Sequence, residues 1–113
     1  MKKIILDTNF IISCLNFKID FISETKKLVP NATLNIMGGT LHELKNKKMG
    51  NLALQIIEDK KISVIDSENY VDRGILNLKG DYIVATNDRE LINKLEFPVI
   101  RIKQKKYLVL GKG

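Results

Sequence analysis

The sequence is poor in the residues that thiol and imidazole chemistry require. Its 113 residues include one cysteine and one histidine. Cys14 has no internal partner for a disulfide, and its apolar neighbours predict a small buried side chain rather than a nucleophile. His42 has no second histidine or cysteine to support it, so we predict a surface residue rather than a general base. A single free thiol fits a cytoplasmic, reducing compartment.

Long apolar segments are also missing. No run approaches the roughly 20 residues of a membrane-spanning helix, so we expect no membrane partner. The first apolar run, Ile4 to Leu6, is too short for a signal peptide. Hydrophobic residues make up 44% of the chain, which is typical of a globular core. Without repeats, low-complexity tracts or a linker, residues 1–113 are predicted to form a single domain.

Acidic residues are absent from the segment between Phe97 and Gly113, although the chain as a whole has 13 of them against 19 Lys and Arg. The net charge of +6 predicts a polyanionic partner, and nucleic acid is favoured over membrane because no basic amphipathic helix is evident. Lysines that merely keep a soluble protein dispersed are the alternative. The candidate nucleic-acid contacts are Lys45, Lys47, Lys48, Arg101, Lys103, Lys105 and Lys106.

Apolar runs alternate with helically patterned segments, which is typical of βα units around a parallel sheet. Five strands are predicted, at 3–6, 33–37, 62–65, 82–85 and 98–102, and the run 106–110 is a candidate for pairing at an edge. Helices are predicted at 10–15, 21–29, 40–47, 52–59, 67–78 and 89–95. Asp20 is the predicted N-cap of the second helix, and Gly38-Gly39 are predicted to break the second strand.

Two of the most apolar strands end on an Asp flanked by Thr and Asn. These clusters are Asp7-Thr8-Asn9 and Thr86-Asn87-Asp88. The carboxyl ends of central strands meet in the crevice where open α/β sheets bind ligands. Carboxylates brought together there repel unless a cation separates them, and oxygen ligands suit Mg²⁺ or Mn²⁺. Glu43 and Asp72, near the starts of two predicted helices, are further candidates.

Each acid also has a structural interpretation that requires no ligand. Asp7 could cap the helix that follows it. Thr40 to Glu43 and Asn87 to Glu90 match capping boxes. Glu43 could pair with Lys47 one helical turn on, and Asp72 could complement a helix dipole. The repeated pattern of a strand followed by an acid favours a shared site over these separate roles.

In order along the chain, the acidic motifs resemble those of PIN domains. The matching segments are Leu6-Asp7-Thr8-Asn9-Phe10, Glu43-Leu44-Lys45, Asp72-Arg73-Gly74-Ile75, Val84 to Leu91 and, after the last predicted strand, Gln104 to Leu108. The resemblance implies a three-layer α/β/α sandwich with a mainly parallel, five-stranded central sheet. It also implies catalytic metal ligands at Asp7, Glu43, Asp72 and Asp88, with Asn9 and Thr86 as polar partners that orient these ligands or water.

The function that the resemblance implies is metal-dependent endoribonuclease activity on structured RNA, with ribosomal RNA processing as one setting. A non-catalytic RNA-binding scaffold is an alternative, favoured by Arg73 beside Asp72. The toxin of a toxin–antitoxin pair is another. A homodimer and an antitoxin-like protein are left open as partners.

Overall fold

The computed structural model describes residues 2–66 and 71–112, without the side chains of Asp72 and Lys112. These residues form strands β1 (Lys3–Leu6), β2 (Thr33–Met37), β3 (Ser63–Ile65), β4 (Tyr82–Ala85), β5 (Pro98–Lys103) and β6 (Tyr107–Lys112). The helices are α1 (Thr8–Asn16), α2 (Phe21–Leu28), α3 (Gly38–Leu44), α4 (Gly50–Asp59), α5 (Val71–Leu76) and α6 (Arg89–Lys94). Within these ranges, no helix has the length and apolarity needed to cross a membrane.

The strands form one sheet in the order β3-β2-β1-β4-β5-β6. Strands β1 to β5 pair in parallel, and β6 runs antiparallel to β5. The predicted α/β class is confirmed, but the predicted count of five strands was wrong. The run near 106–110 pairs with β5 from Lys103↔Tyr107 to Pro98↔Lys112, because a tight turn folds it straight back along that strand.

The central strand β1 is covered on both faces. Ile4 and Leu6 pack into one core, together with residues of α1, α2 and α4. Ile5 points the other way and packs with residues of α5 and α6. All three side chains are fully buried, and each such burial contributes about 1.5–3 kcal/mol. The alternation of a strand therefore produces the expected helix, sheet and helix layers.

Glycines begin two of the helices. Gly38 and Gly39, which were predicted to end the second strand, form the first turn of α3 directly after β2. Gly50, predicted to lie in a turn, is the first residue of α4. A Cβ on Gly50 would lie 1.8 Å from the carbonyl oxygen of Leu44, so the close approach of α3 to α4 requires glycine there. The helix predicted over 67–78 is observed from Val71 to Leu76, and residues 67–70 lie outside the described part.

Candidate active site

The register of the two central strands brings their final residues together. Leu6 pairs with Ala85, and the Asp7 N–H donates to the Ala85 carbonyl oxygen at 3.0 Å. Asp7 occupies the N-cap position of α1, but its side chain makes no capping hydrogen bond. Its carboxylate, 6% exposed, instead accepts a 2.8 Å bond from the Thr86 hydroxyl. The interpretation of Asp7 as a helix cap was therefore wrong.

Thr86 connects the two acidic clusters through one fully buried hydroxyl. While it donates to Asp7, its oxygen accepts from the Asp88 N–H at 3.1 Å. The Asp88 side chain caps α6, because its Oδ1 accepts from the N–H groups of Glu90 at 3.0 Å and Leu91 at 3.2 Å. The predicted box with Asn87 as the cap was wrong by one residue. Both capping bonds use the same oxygen of Asp88.

Asp7 and Asp88 line one open cavity of about 320 Å³. Asn9 also lines it, as do Phe10, Ser13 and Asn87. The structure thus brings together two predicted acids and one predicted polar partner. The Thr86 hydroxyl is hydrogen-bonded to both acids, to the carboxylate of Asp7 and the backbone N–H of Asp88. A crevice at the carboxyl ends of parallel strands is where such sheets bind ligands.

Glu43 reaches the neighbourhood of this cavity through Thr8. Its Oε1 accepts a short hydrogen bond from the hydroxyl of Thr8, the residue next to Asp7. The Thr8 hydroxyl also lies 3.1 Å from that of Thr40. The capping box predicted for Thr40 and Glu43 was wrong, because α3 begins earlier and Thr40 lies inside it. The predicted pair with Lys47 does not occur among the described ion pairs, which are Lys2–Asp81 and Lys27–Glu24.

Asp72 is the second residue of α5, and its side chain lies outside the described part of the structure. The helix itself packs against α3, which carries Glu43, and against α6, which Asp88 caps. Among the side chains that are described, no three of His, Cys, Asp and Glu lie close enough to hold one ion. The backbone therefore places Asp72 on a helix beside the other acids, and its role as a ligand stays a prediction.

Asn87 extends the sheet beyond the end of β4. The last parallel backbone bond runs from the Thr86 N–H to the Ile100 carbonyl at 3.0 Å. Past it, the Asn87 amide pairs with Ile102 as a strand residue would, accepting from its N–H at 2.8 Å and donating to its carbonyl at 3.1 Å. These two hydrogen bonds fix the orientation of the amide, since a flipped amide would place its NH₂ group against the Ile102 N–H, donor against donor. It also holds the end of β5 beside the acidic cavity.

Basic side chains flank Asn87 on the other side. A cavity of about 210 Å³ is lined by Arg89, Arg101 and Lys103. Asn87 lines both this cavity and that of Asp7 and Asp88. A third cavity is lined by Lys105 and, again, by Asn87. The remaining predicted contacts are exposed, with Lys106 in the β5–β6 turn and Lys45, Lys47 and Lys48 between α3 and α4. Neither Arg89 nor the bridging Thr8 was predicted to have a role, although each directly follows a predicted acid in the sequence.

Cys14 and His42 were predicted to take no part in the chemistry. Cys14 is fully buried in the larger core, and burial raises the pKa of its thiol to about 12. A thiol with that pKa is almost entirely protonated near neutral pH and is a poor nucleophile. His42 is exposed on α3. The predicted burial of Cys14 and the predicted surface position of His42 are confirmed.

Comparison with known proteins agrees with this geometry. No model of a protein family matches the chain. Ribonuclease VapC4 of Methanocaldococcus jannaschii is 38% identical to it, and the match covers 95% of each chain. The structure of the PIN domain endonuclease Utp24 superposes with a TM-score of 0.86, at 25% identity over 98% of this chain and 92% of that one. VapBC2 from Rickettsia felis, solved with a promoter DNA fragment, shares the fold with a TM-score of 0.55, at 12% identity over 88% of this chain and 98% of that one.

Fold and site define a class of protein: three-layer α/β/α domains with acids gathered at the carboxyl ends of a parallel sheet. With these relatives, they show that the chain belongs to the PIN-domain family, as its motifs predicted.

Proposed function

We propose that this protein is an endoribonuclease that hydrolyses RNA with the help of a divalent cation. The observation that carries the proposal is the cavity that Asp7 and Asp88 line together, joined through Asn87 to a second cavity lined by basic residues. Carboxylates can hold a divalent cation that activates water and polarises a phosphate, and basic side chains can bind the neighbouring phosphates. The names of two relatives, a ribonuclease and a PIN domain endonuclease, support the same activity.

The donor chemistry of the site fits a hard cation. The candidate ligands Asp7, Glu43, Asp72 and Asp88 offer carboxylate oxygens alone, which suits Mg²⁺ or Mn²⁺ better than softer metals. Mg²⁺ is commonly held by one or two protein carboxylates together with substrate phosphates. Two acids on one cavity meet that requirement. We assign Asp7 and the Oδ2 of Asp88 as the main ligands, and Glu43 and Asp72 as further ones.

Each side chain then has a definite task. Asp7 supplies a charged oxygen whose position the Thr86 hydroxyl fixes. Asp88 is held in place because its other oxygen caps α6. Thr8 orients Glu43, and Asn9 presents an amide to the substrate or to water. A divalent cation, when bound, supplies Lewis acidity toward water and phosphate.

The basic cavity would hold the RNA backbone beside the acids. Arg89, Arg101 and Lys103 are exposed and have no ion-pair partner among the described residues. Arginine forks match phosphate oxygens in two-point contacts, and the protein's positive charge attracts the polyanion over a distance. Structured RNA, with ribosomal RNA among the candidates, is the substrate class that we propose.

The test is cleavage of an end-labelled RNA hairpin by the purified protein with Mn²⁺, with Mg²⁺ and with EDTA. We expect cleavage with either metal and none with EDTA. Asp7→Asn keeps the shape and removes the charge, so it should slow cleavage by roughly 100-fold or more while RNA binding persists. Asp81→Asn is the matched control, because Asp81 is an exposed acid that precedes β4, at the opposite end from Thr86. Equal cleavage in EDTA, or full activity in Asp7→Asn, would overturn the proposal, and RNA binding without any cleavage would favour the scaffold.

Three further expectations from the sequence are also proposals. They are a cytoplasmic location, a homodimer and an antitoxin-like protein partner. Light scattering of the purified protein would test the dimer, and co-purification from the native cell would test the protein partner.

A further inference from the structure

A third cavity continues from the acidic site toward the β5–β6 turn. It measures about 390 Å³ and is lined by Ser13, Phe17, Asn87, Ile102, Gln104 and Lys105. Ser13 and Asn87 also line the cavity of Asp7 and Asp88, so the two spaces adjoin. A polymer lying across the acids would therefore have this cavity beside it.

Phe17 provides an aromatic surface in that cavity. Phe17 is 37% exposed at the end of α1, whereas Phe10 and Phe21 are buried in the core. The ammonium of Lys105 lies 5.8 Å from the ring centroid, within the range of a cation–π contact. An exposed aromatic ring can accept a flat group on its face. Unpaired RNA bases commonly stack on aromatic side chains in this way.

The turn that forms the far wall has an unusual backbone. Gln104 and Lys105 have φ values of 53° and 56°, and the Lys106 N–H donates to the Lys103 carbonyl at 3.0 Å. This is the pattern of a type I′ turn, whose two central positions favour Gly, Asn or Asp. Long polar side chains thus occupy positions where the backbone does not favour them. Their side chains are longer than those of the favoured residues, and they end in an amide and a cation.

We propose that this cavity is a nucleotide subsite, in which Phe17 stacks on an unpaired base of the RNA. Lys105 binds a neighbouring phosphate, and Gln104 contacts the edge of the base. The positive charge and the junction with the acidic cavity favour RNA over an apolar protein segment. The proposal rests on the proposed function for the identity of the polymer.

The test measures binding of a fluorescein-labelled single-stranded oligoadenylate of about ten nucleotides, in EDTA so that no cleavage occurs. A second RNA of the same length, abasic throughout, keeps the phosphates and removes every base. Phe17→Ala should weaken binding of oligoadenylate by roughly 10- to 100-fold and leave binding of the abasic RNA nearly unchanged. Phe17→Tyr should restore most of the affinity and Phe17→Leu little of it, since stacking requires the ring. Leu52→Ala, at another exposed apolar residue, on α4, is the matched control.

Equal losses for both RNAs, or no loss for either, would overturn the subsite. So would a wild-type protein that binds neither RNA, or a Phe17→Ala effect confined to self-association. The same proteins are then assayed for cleavage with Mn²⁺. A wild type that binds in a Phe17-dependent way and never cuts would overturn the nuclease and leave the subsite standing. A wild type that cuts while Phe17→Ala binds both RNAs normally would overturn the subsite alone.

Discussion

The buried hydroxyl of Thr86 is the contact on which the candidate site most depends, and Thr86→Val tests it. Valine has nearly the same shape, so the change removes the bond to the Asp7 carboxylate and leaves the Asp88 N–H without its acceptor. A hydrogen bond to a charged group is worth about 1.5–3 kcal/mol, and an unsatisfied N–H adds to the loss. We expect the free energy of unfolding to fall by about 2–4 kcal/mol. For a domain of this size, the melting temperature should fall by roughly 8–16 °C.

Thermal unfolding followed by circular dichroism measures this loss, with Thr86→Ser as the control. Serine keeps the hydroxyl and loses one methyl group, which should cost about 1 kcal/mol. The penalty of Thr86→Val should also shrink in an Asp7→Asn background, because the bond then no longer involves a charge. If valine proves no more harmful than serine, or if its penalty is unchanged in that background, the hydroxyl does not join the two strand ends.

Three other outcomes are expected. Millimolar Mn²⁺ should raise the melting temperature of the wild type more than that of Asp88→Asn, since a cation at 100 times its Kd stabilises the folded state by about 2.7 kcal/mol; equal shifts would argue against a shared site. Gly50→Ala should destabilise the fold by about 1–3 kcal/mol in urea denaturation, because the new methyl meets the Leu44 carbonyl, and an unchanged midpoint would contradict that contact. The Ser23 hydroxyl and N–H lower the pKa of Asp20 below its usual 3.8, so the carboxylate stabilises α2 above that pH and this stability is lost as pH falls through the lowered value. Asp20→Asn should therefore lose less stability than the wild type below about pH 4, by under about 1 kcal/mol because the group is exposed, and parallel pH profiles would refute this.

The sequence predicted well the strands whose carboxyl-terminal halves are buried. The observed bounds of β1, β2 and β4 agree with the predicted ones, and the last three residues of each strand are buried. Asp20 caps α2 as predicted, since capping depends on residues three apart in the sequence. Local chemistry was sufficient for these elements.

Features set by distant parts of the chain were missed. Gly38-Gly39 end β2 as predicted, but α3 begins at Gly38 and α4 at Gly50, each two residues before the predicted start. The bond from Thr8 to Glu43 spans 35 positions, and that from Asn87 to Ile102 spans 15. The hydrophobic periodicity of the sequence carries no information about such distant pairs. The sequence therefore identified the acids by their place after strands, but not the side chains that orient them.

The position of β1 in the middle of the sheet has a consequence for the order of folding. Among the six strands this one is synthesised first, yet its neighbour β4 begins at Tyr82, after β2, β3 and helices α1 to α5 have been made. Until then, one edge of this mostly apolar strand has no partner, and contacts between such distant segments slow folding. A nascent chain that ends before β4 contains Asp7 without Thr86 or Asp88. The activity proposed for this protein is thus withheld until synthesis has passed β4.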